Sequence, residues 1–533
     1  MVSFLNQAKT QLIPDGYKFF AGLDQVLITN IQICNYLKNI TKTSFGPNAK
    51  NKLIIHKTGK FIITSDTFTI LKNLDFSHPA IQILIFSAIY QIQELGDFAN
   101  YLILFCTEIL KQAYDLLKIG YNSYEIIKNF EEAGKISLKI LETLPIYKFG
   151  YISNLKILSN ILALSIKLEN SDLKNIIAPQ IAYACLNTCP VNLKRFSNDN
   201  IRVVKILGGN TKDIKTLIGT VILKDSEGSV KTVKKANIAI YNCEFDFSNI
   251  ETKNSIEFSK IQDILKYEKN ENFLFERKIK NILTMGINVI VANRFGDLAL
   301  HFFQKYNIMA IKIQSKFDMK RIAKTSNSLI ISNLRIPKNN EIGKCDFVTV
   351  RSFGFQKVTI FKQELTESKI FTVIIRANST SLLDNLEKNI QKLTIIFKSI
   401  IRDDRFILGA GSSEIQLVRR IKNFSIKKGS LFNPRIIEKF ADSFEIIPST
   451  LIENSGDISM KLLSKLHIKH KNREDCYGID SENYALFDCK KNGIWDLFSC
   501  KYWAIKNAID AALTILTVDQ IVMAKQFTKD EEK

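Results

Sequence analysis

The chain has 533 residues, of which 46% are apolar, and a formal net charge of +21. This length exceeds one hydrophobic core and predicts two to four domains. The positive charge leaves a basic nucleic-acid-binding or scaffold protein as one alternative, but Lys and Arg are spread among acids without long runs, so we expect no nucleic-acid partner. The longest apolar stretch, 79–95, contains Gln and Glu and is short for a bilayer span, so we expect no membrane partner.

Targeting and redox signals favour the cytosol. The first residues, MVSFLNQAKTQLIPDG, lack the charged and apolar regions of a secretory signal. Nine cysteines are scattered without a CxxC pair, and the spacing of Cys185 and Cys189 fits neither zinc nor a disulfide framework. A reducing, cytosolic environment follows.

The first predicted elements lead to a glycine turn. A helix is predicted from Asp24, because apolar residues recur on one face as far as the turn in TSFGPNAKN (43–51). Two short strands, 52–56 and 60–64, come next, and Asp66 follows the second strand. A Gly-Pro turn can bring backbone N–H groups against a phosphate, and later carboxylates can hold Mg²⁺ or orient a water. The alternative for Asp66 is a helix N-cap.

The next predicted helix begins at His78-Pro79 and ends before Gly96-Asp97. The order of the glycine turn, TSDTFTIL and GDFAN resembles the ATP pocket of the group II chaperonins, the family of TCP-1, CCT and TRiC, which carries a GPxG-type turn, TNDGATIL and GDGT. The resemblance implies ATP or ADP as cofactor with Mg²⁺ on Asp97, and a catalytic role for Asp66. It also implies nucleotide contacts at Ser44, Phe45, Gly46, Pro47, Asp97, Phe98, Ala99 and Asn100.

The segment after Asp97 departs from the family pattern. Phe98 and Ala99 stand where the family has Gly and Thr. A ring at Phe98 obstructs close backbone approach, and Ala99 has no hydroxyl. We therefore expect a weakened Mg²⁺ site.

In the middle of the chain the residue pattern changes from helical to strand-like. Residues 101–142 and 152–192 read as helices, and NIRVVKILGG (200–209) then alternates like a strand, which predicts a domain junction. Between 214 and 366, six strand-like runs alternate with helices at 297–306 and 318–325. By resemblance, this is the apical, substrate-gripping domain.

One stretch of this middle part, KYNIMAIKIQSKFDMKRIAKT (305–325), resembles the theta type of chaperonin subunit in particular. By resemblance, its helix faces the folding chamber and contacts client proteins. The alternative is a solvated helix face. The residues implied in client binding are Lys316, Lys320, Arg321 and Lys324.

The segment that leads back to the first domain departs from the family pattern at a second position. TVIIR (372–376) and the helix after it resemble the family segment with E-R-x-x-x-D, whose last carboxylate polarises the attacking water. Aligning Glu387 with the first residue places Lys392 at the catalytic position. A charged lysine accepts no proton, and neither does Gln391 before it. We expect slow or absent hydrolysis; the alternative is a fully active subunit whose site is compensated elsewhere.

The last part of the chain supplies the remaining nucleotide contacts. RDDRFILGAGSSEIQL (402–417) resembles the family's glycine triplet, here Gly409, Ala410 and Gly411. Asp496 matches the position that contacts the ribose, and KYWAIK (501–506) again resembles the theta type.

Taken together, the resemblance implies a multidomain α and α/β protein with the GroEL-like chaperonin fold. We expect a helical equatorial domain at 1–142 and 403–533, a small intermediate domain at 143–213 and 367–402, and an α/β apical domain at 214–366 with a helical protrusion, or lid, at about 245–269. The implied function is ATP-dependent protein folding by a double ring. The implied partners are sister subunits and non-native clients such as cytoskeletal proteins.

Overall fold

The computed structural model describes residues 18–20, 23–55, 59, 61–76, 78–144, 147–148, 154–166, 171–189, 196–245, 273, 275–354, 356–363, 370–427, 433–456 and 459–523. Its contacts divide the chain into two units. Unit 1 comprises both chain ends, residues 1–150 and 402–533, and unit 2 comprises residues 151–401. The predicted lid at about 245–269 lies outside the described residues, apart from Phe245.

The described helices, in chain order, are α1 (Leu23–Lys42), α2 (Thr67–Asn73), α3 (Pro79–Leu95), α4 (Ala99–Ile119), α5 (Ser123–Glu142), α6 (Leu155–Leu164), α7 (Ser171–Thr188), α8 (275–284), α9 (Asp297–Lys305), α10 (Lys316–Ser326), α11 (Thr380–Arg402), α12 (Ser412–Lys427), α13 (Pro434–Asp442), α14 (Ile446–Ser455), α15 (Ser459–Lys471) and α16 (Phe498–Leu516). None of these helices combines the length and apolar character that a membrane span requires.

The described strands, in chain order, are β1 (Lys18–Phe20), β2 (Lys52–Ile55), β3 (Phe61–Thr64), β4 (Tyr147–Lys148), β5 (Ile201–Leu207), β6 (Lys215–Ile222), β7 (Thr232–Tyr241), β8 (Glu244–Phe245), β9 (Val289–Ala292), β10 (Arg294–Phe295), β11 (Met309–Lys312), β12 (Ile330–Ile331), β13 (Gly343–Phe353), β14 (Gln356–Lys362), β15 (Phe371–Ala377), β16 (Arg405–Leu408), β17 (Tyr477–Asp480), β18 (Ala485–Asp488), β19 (Trp495–Leu497) and β20 (Ile521–Met523).

Unit 1 is a helical body around α4. This helix buries residues on every side, including the run from Leu102 to Cys106, as expected of a helix in the centre of a core. It packs against α1 from the first chain end and α16 from the last. The ring of Phe105 lies 4.3 Å from that of Phe444. Phe105 comes from the first chain end and Phe444 from the last, so this contact holds the two ends together. Replacing a buried Phe by Ala typically costs about 3–5 kcal/mol of stability.

Small sheets also join the two ends within unit 1. β1 pairs antiparallel with β20, and β16 lies between β19 and β4. Segment 143–150, which we predict in the intermediate domain, therefore belongs to unit 1 by its contacts, since Tyr147 and Lys148 pair with Phe406 and Arg405.

Unit 2 contains a mixed nine-stranded sheet in the order β11-β9-β7-β13-β14-β6-β15-β5, with β12 also paired to β7. β7, β9 and β11 run parallel and alternate along the chain with α8 and α9, whereas β13, β14 and β6 form an antiparallel part. This α/β unit and the helical unit 1 agree with the predicted fold class. The further division of unit 2 into intermediate and apical domains stays a prediction.

Candidate functional site

The first glycine turn of unit 1 closes tightly at the end of α1. The backbone N–H of Ser44 donates to the Thr41 carbonyl at 3.0 Å, and the Ser44 hydroxyl donates to the same oxygen at 2.7 Å. Gly46 has φ +85°, and a Cβ there would lie 2.8 Å from the Leu451 Cδ2 atom. Both the left-handed backbone and this contact require glycine.

Residues from the far end of the chain hold this turn. The Asn454 amide donates to the Lys42 and Phe45 carbonyls at 2.9 and 2.8 Å, although 409 positions separate Asn454 from Phe45. The Asn48 amide donates to the Ser481 carbonyl at 3.1 Å. The turn that includes Gly46 and the exposed Pro47 is thus shaped by α14 and by the β17–β18 hairpin.

Asp66 is the N-cap of α2. Its carboxylate accepts hydrogen bonds from the Thr69 backbone N–H at 3.0 Å and from the Thr69 hydroxyl at 2.9 Å. The capping role that we considered as the alternative is therefore present. Asp66 keeps partial exposure, and its catalytic role stays a prediction.

The segment from Asp97 to Asn100 turns the chain from α3 into α4. Phe98 adopts a left-handed conformation with φ 71°, which costs a non-glycine residue about 1–2 kcal/mol. Its ring packs against the helical core and lies edge-on to the Tyr101 ring at 5.6 Å. The buried Asn100 donates to the Thr41 carbonyl at 3.0 Å. The chain thus keeps a glycine-like turn here while its aromatic ring is packed against the core.

The glycine triplet connects β16 to α12. Ala410 and Gly411 have φ values of 52° and 80°, and Ile479 donates its backbone N–H to the Ala410 carbonyl at 3.0 Å. A Cβ on Gly409 would lie 3.0 Å from the Asp496 Oδ1 atom, and one on Gly411 would lie 3.0 Å from Pro448. The triplet therefore passes closely beside Asp496, as the register of β16 with β19 requires.

A buried charge cluster lies on the other side of Asp496. The Lys501 ammonium group contacts Glu414 Oε1 at 2.7 Å and Asp496 Oδ2 at 2.9 Å, and it donates to the Ser413 hydroxyl at 2.6 Å. The Lys501 and Glu414 side chains are each 1% exposed, whereas that of Asp496 is 26% exposed. Asp496 is thus the member of this cluster that a ligand can reach.

The electrostatics tie Asp97 to the same cluster. Burial raises the pKa of Asp496, Lys501 opposes this shift, and the negative charges of Glu414 and Asp97 reinforce it. Burial alone would lower the pKa of Lys501, but the charges of Asp496 and Glu414 outweigh it and raise that pKa. Carboxylates in excess over cations make this a place where a further cation is favoured.

Comparison with known proteins shows the family to which the chain belongs. The sequence profile of the TCP-1/cpn60 chaperonin family matches residues 37–526. The chain belongs to the TCP-1/cpn60 chaperonin family. It is similar to T-complex protein 1 subunit theta of Mus musculus and of Homo sapiens, each 36% identical over 518 residues, and to that of Caenorhabditis briggsae, 34% identical over 519 residues. Each match covers 97% of this chain and 94% of the relative. The predicted chaperonin membership and fold class are confirmed.

Membership of the chaperonin family implies a nucleotide-dependent function, and the carboxylates described here are of the kind that a nucleotide-bound Mg²⁺ ion would require. Mg²⁺ usually takes only one or two carboxylates and completes its shell with phosphates and waters. Asp97, partly exposed and electrostatically coupled to Asp496, provides such a carboxylate. Among the described residues, no group of three or more His, Cys, Asp or Glu side chains could hold a metal ion. Phosphates and waters would therefore have to supply most of the ligands. Gly409, which has no side chain, lies close to Asp496, since a Cβ there would approach the Oδ1 atom to 3.0 Å.

The remaining predicted site residues belong to unit 2. Lys392 is partly exposed on α11. Glu387, from which we located Lys392 in the chaperonin motif, forms an ion pair with Lys205 of β5 at 2.7 Å. Its own side chain therefore anchors α11 to the sheet of unit 2.

The predicted client-binding residues do not share one environment. Lys316, Lys320 and Lys324 are exposed on α10, and the neighbouring Phe317 exposes 72% of its surface. Arg321 instead pairs with Asp318 at 3.0 Å, and Asp318 also pairs with Arg202. Arg321 therefore has a structural partner within unit 2, whereas the three lysines and Phe317 form a mixed apolar and basic surface.

Several residues that build the site were not predicted from sequence: Leu451, Asn454, Ser481, Glu414 and Lys501. For Lys501 a signal was available. Lys501, Ala504, Ile505 and Ala508 follow helical spacing, so the lysine occupies a core-facing position of α16. A charged side chain at such a position requires a buried partner.

Proposed function

We propose that this chain is a theta-like subunit of a hetero-oligomeric, double-ring cytosolic chaperonin that assists ATP-dependent folding of non-native proteins. Family membership supports the chaperone role, and the theta relatives support the subunit type. One observation carries the nucleotide part: segments from both chain ends meet around Gly46, Gly409 and Asp496 in unit 1. Sister subunits and client proteins are the partners that such a ring implies.

Different residues of unit 1 bind different parts of ATP or ADP. Gly46 in the turn from Ser44 to Pro47, and Gly409 and Gly411 in the triplet, carry no side chain, which allows a phosphate or another part of the nucleotide to approach the backbone closely. Asp97 holds Mg²⁺, and Asp496 accepts hydrogen bonds from ribose hydroxyls. When bound, Mg²⁺ neutralises phosphate charge.

In this proposal, ATP hydrolysis by the subunit is slow. Phosphoryl transfer to water depends on a positioned nucleophile, and a charged Lys392 at the water-orienting position cannot accept the proton of that water. The subunit therefore binds nucleotide and turns it over slowly.

The test is Lys392→Asp in this chain within the assembled particle. We expect the particle's ATP turnover to rise measurably, because a carboxylate is restored at the water-orienting position. Lys398→Asp, a change of the same charge on the same helix, is the matched control and should leave turnover unchanged. An equal turnover for Lys392→Asp and wild type would support the alternative of a fully active, compensated site.

A further inference from the structure

Lys501 uses its whole hydrogen-bonding capacity inside unit 1. Its ammonium group has three protons, and three acceptors lie within 2.9 Å: Glu414, Asp496 and the Ser413 hydroxyl. The side chain is 1% exposed. The position of the ammonium group is therefore fixed by protein atoms alone.

The three acceptors come from the elements that border the glycine triplet. Ser413 and Glu414 lie in the first turn of α12, which begins at Ser412 directly after Gly411. The Ser413 hydroxyl donates back to the Leu408 carbonyl at the end of β16 at 2.8 Å. Asp496 lies on β19, opposite Ile407 of β16. Lys501, in the first turns of α16, thus ties together both sides of the triplet.

The two oxygens of Asp496 have different surroundings. Oδ2 receives the Lys501 hydrogen bond, while Oδ1 lies on the side of Gly409, where a Cβ would approach it to 3.0 Å. Since a lysine bond to one carboxylate oxygen fixes the rotation of the group, it also fixes the direction of the other oxygen. Because residue 409 is glycine, no side chain covers that oxygen from this side, and a Cβ there would also lie 3.2 Å from the Ile494 Cγ2 atom.

We propose that Lys501 is a positioning residue for nucleotide binding: it holds Asp496 Oδ2, so that Oδ1 is presented beside Gly409 to the ribose hydroxyls. The inference rests on the proposed nucleotide-binding function and deepens it. It makes selectivity for the ribose hydroxyls depend on a lysine that itself lies out of contact with solvent.

The test measures ribose selectivity in this chain alone. Photolabelling of the assembled particle with 8-azido-ATP, resolved by subunit mass, is competed with ATP or with 2′,3′-dideoxy-ATP, which lacks both hydroxyls. In wild type, ATP should compete at about tenfold lower concentration than the dideoxy nucleotide, as expected for hydrogen bonds to a charged acceptor. In Lys501→Met this ratio should fall below about twofold, with competition by the dideoxy nucleotide unchanged.

Two control variants separate positioning from folding. Lys38→Met removes the other lysine that is buried among the described residues of unit 1, which pairs with Glu108 at 2.6 Å, and should keep the tenfold ratio. If Lys501→Met is not incorporated into particles, Lys501→Met with Glu414→Gln removes one buried negative charge as well and should show the same loss of selectivity.

The outcomes distinguish this inference from the proposed function. A labelled chain whose ratio survives Lys501→Met, or falls equally in Lys38→Met, overturns the positioning role and leaves nucleotide binding intact. A wild-type chain that takes no label while its sister subunits are labelled overturns the proposed function itself.

Discussion

Two buried lysines of unit 1 stand in opposite electrostatic situations. Lys38 of α1 faces one carboxylate, Glu108 of α4, at 2.6 Å, and their side chains are 10% and 8% exposed. Lys501 faces two carboxylates, Glu414 and Asp496. The first site has no excess of negative charge and joins two helices, whereas the second leaves negative charge in excess beside the glycine triplet.

The pKa directions express this difference. Burial would raise the pKa of Glu108, but the charge and hydrogen bond of Lys38 outweigh it, so the pKa lies below its usual value. For Asp496 burial raises the pKa, Lys501 does not fully offset it, and Glu414 and Asp97 add to the rise. A balanced pair is typical of a structural contact, whereas an unbalanced cluster in a cleft points to a ligand.

The largest expected effect is that of Lys501→Met on stability. Two carboxylates lose their buried partner, and breaking a buried ion pair typically costs about 3–5 kcal/mol. Urea-dependent proteolysis of this chain in the assembled particle measures the loss. A cost below about 1 kcal/mol would mean that water compensates the cluster and that its burial has no energetic weight.

Lys38→Met should cost less, about 1–3 kcal/mol, because Glu108 keeps other partners. The Lys111 ammonium group lies 3.5 Å from Glu108 Oε1, and the Gln112 amide donates to the same oxygen at 3.3 Å. The same proteolysis assay gives the comparison. If Lys38→Met is as damaging as Lys501→Met, the distinction between the two lysines fails.

The pH dependence of stability should differ in sign between the two carboxylates. Glu108, with a lowered pKa, stabilises the fold above the ordinary glutamate pKa, and this contribution is lost as pH falls through the folded-state value. Glu108→Gln should therefore flatten the acid side of the stability profile.

Asp496 acts in the opposite direction, because its pKa is raised in the folded chain. Between the ordinary aspartate pKa and the raised one, the folded state holds a proton that the unfolded state has released, so stability falls as pH rises. Asp496→Asn removes this term, and its stability relative to wild type should increase with pH. Unfolding midpoints measured from pH 3 to 7 check both variants; parallel profiles would contradict the comparison.

The smallest effect is expected at the exposed lysines of unit 2. Replacing Lys316, Lys320 and Lys324 by Ser together should change stability by less than about 1 kcal/mol, because all three are exposed. Arg321→Ser on the same helix should cost more than any one of them, since it breaks the pair with Asp318. Thermal unfolding of the particle measures both changes, and equal costs would remove the distinction drawn within α10.

The sequence was most informative where chemistry is local. The turn at Gly46 was predicted from its Gly-Pro pair, and the triplet at 409–411 from its resemblance to the glycine triplet of the chaperonin family. Both segments contain glycines with positive φ values, Gly46 at +85° and Gly411 at +80°. The fold class and chaperonin membership were predicted from sequence segments along the whole chain that resemble those of the family.

The long-range contacts were beyond such reasoning. Asn454, Ser481 and Glu414 have ordinary local sequence. Asn454 reaches the site through the packing of α14, Ser481 through the β17–β18 hairpin, and Glu414 through the start of α12. The outward or inward turn of the Phe98 ring was likewise undecided, since it depends on the core space beside Tyr101. Side-chain direction at a left-handed residue is set by packing that no local pattern encodes.

The account depends most on one claim, that both chain ends form a single nucleotide site in this subunit. A structure of the native particle prepared with ADP and Mg²⁺ tests it most directly. We expect nucleotide density in this chain bordered by Gly46, Gly409 and Asp496. Nucleotide density in the sister subunits, with none beside Gly46, Gly409 and Asp496 of this chain, would contradict the claim.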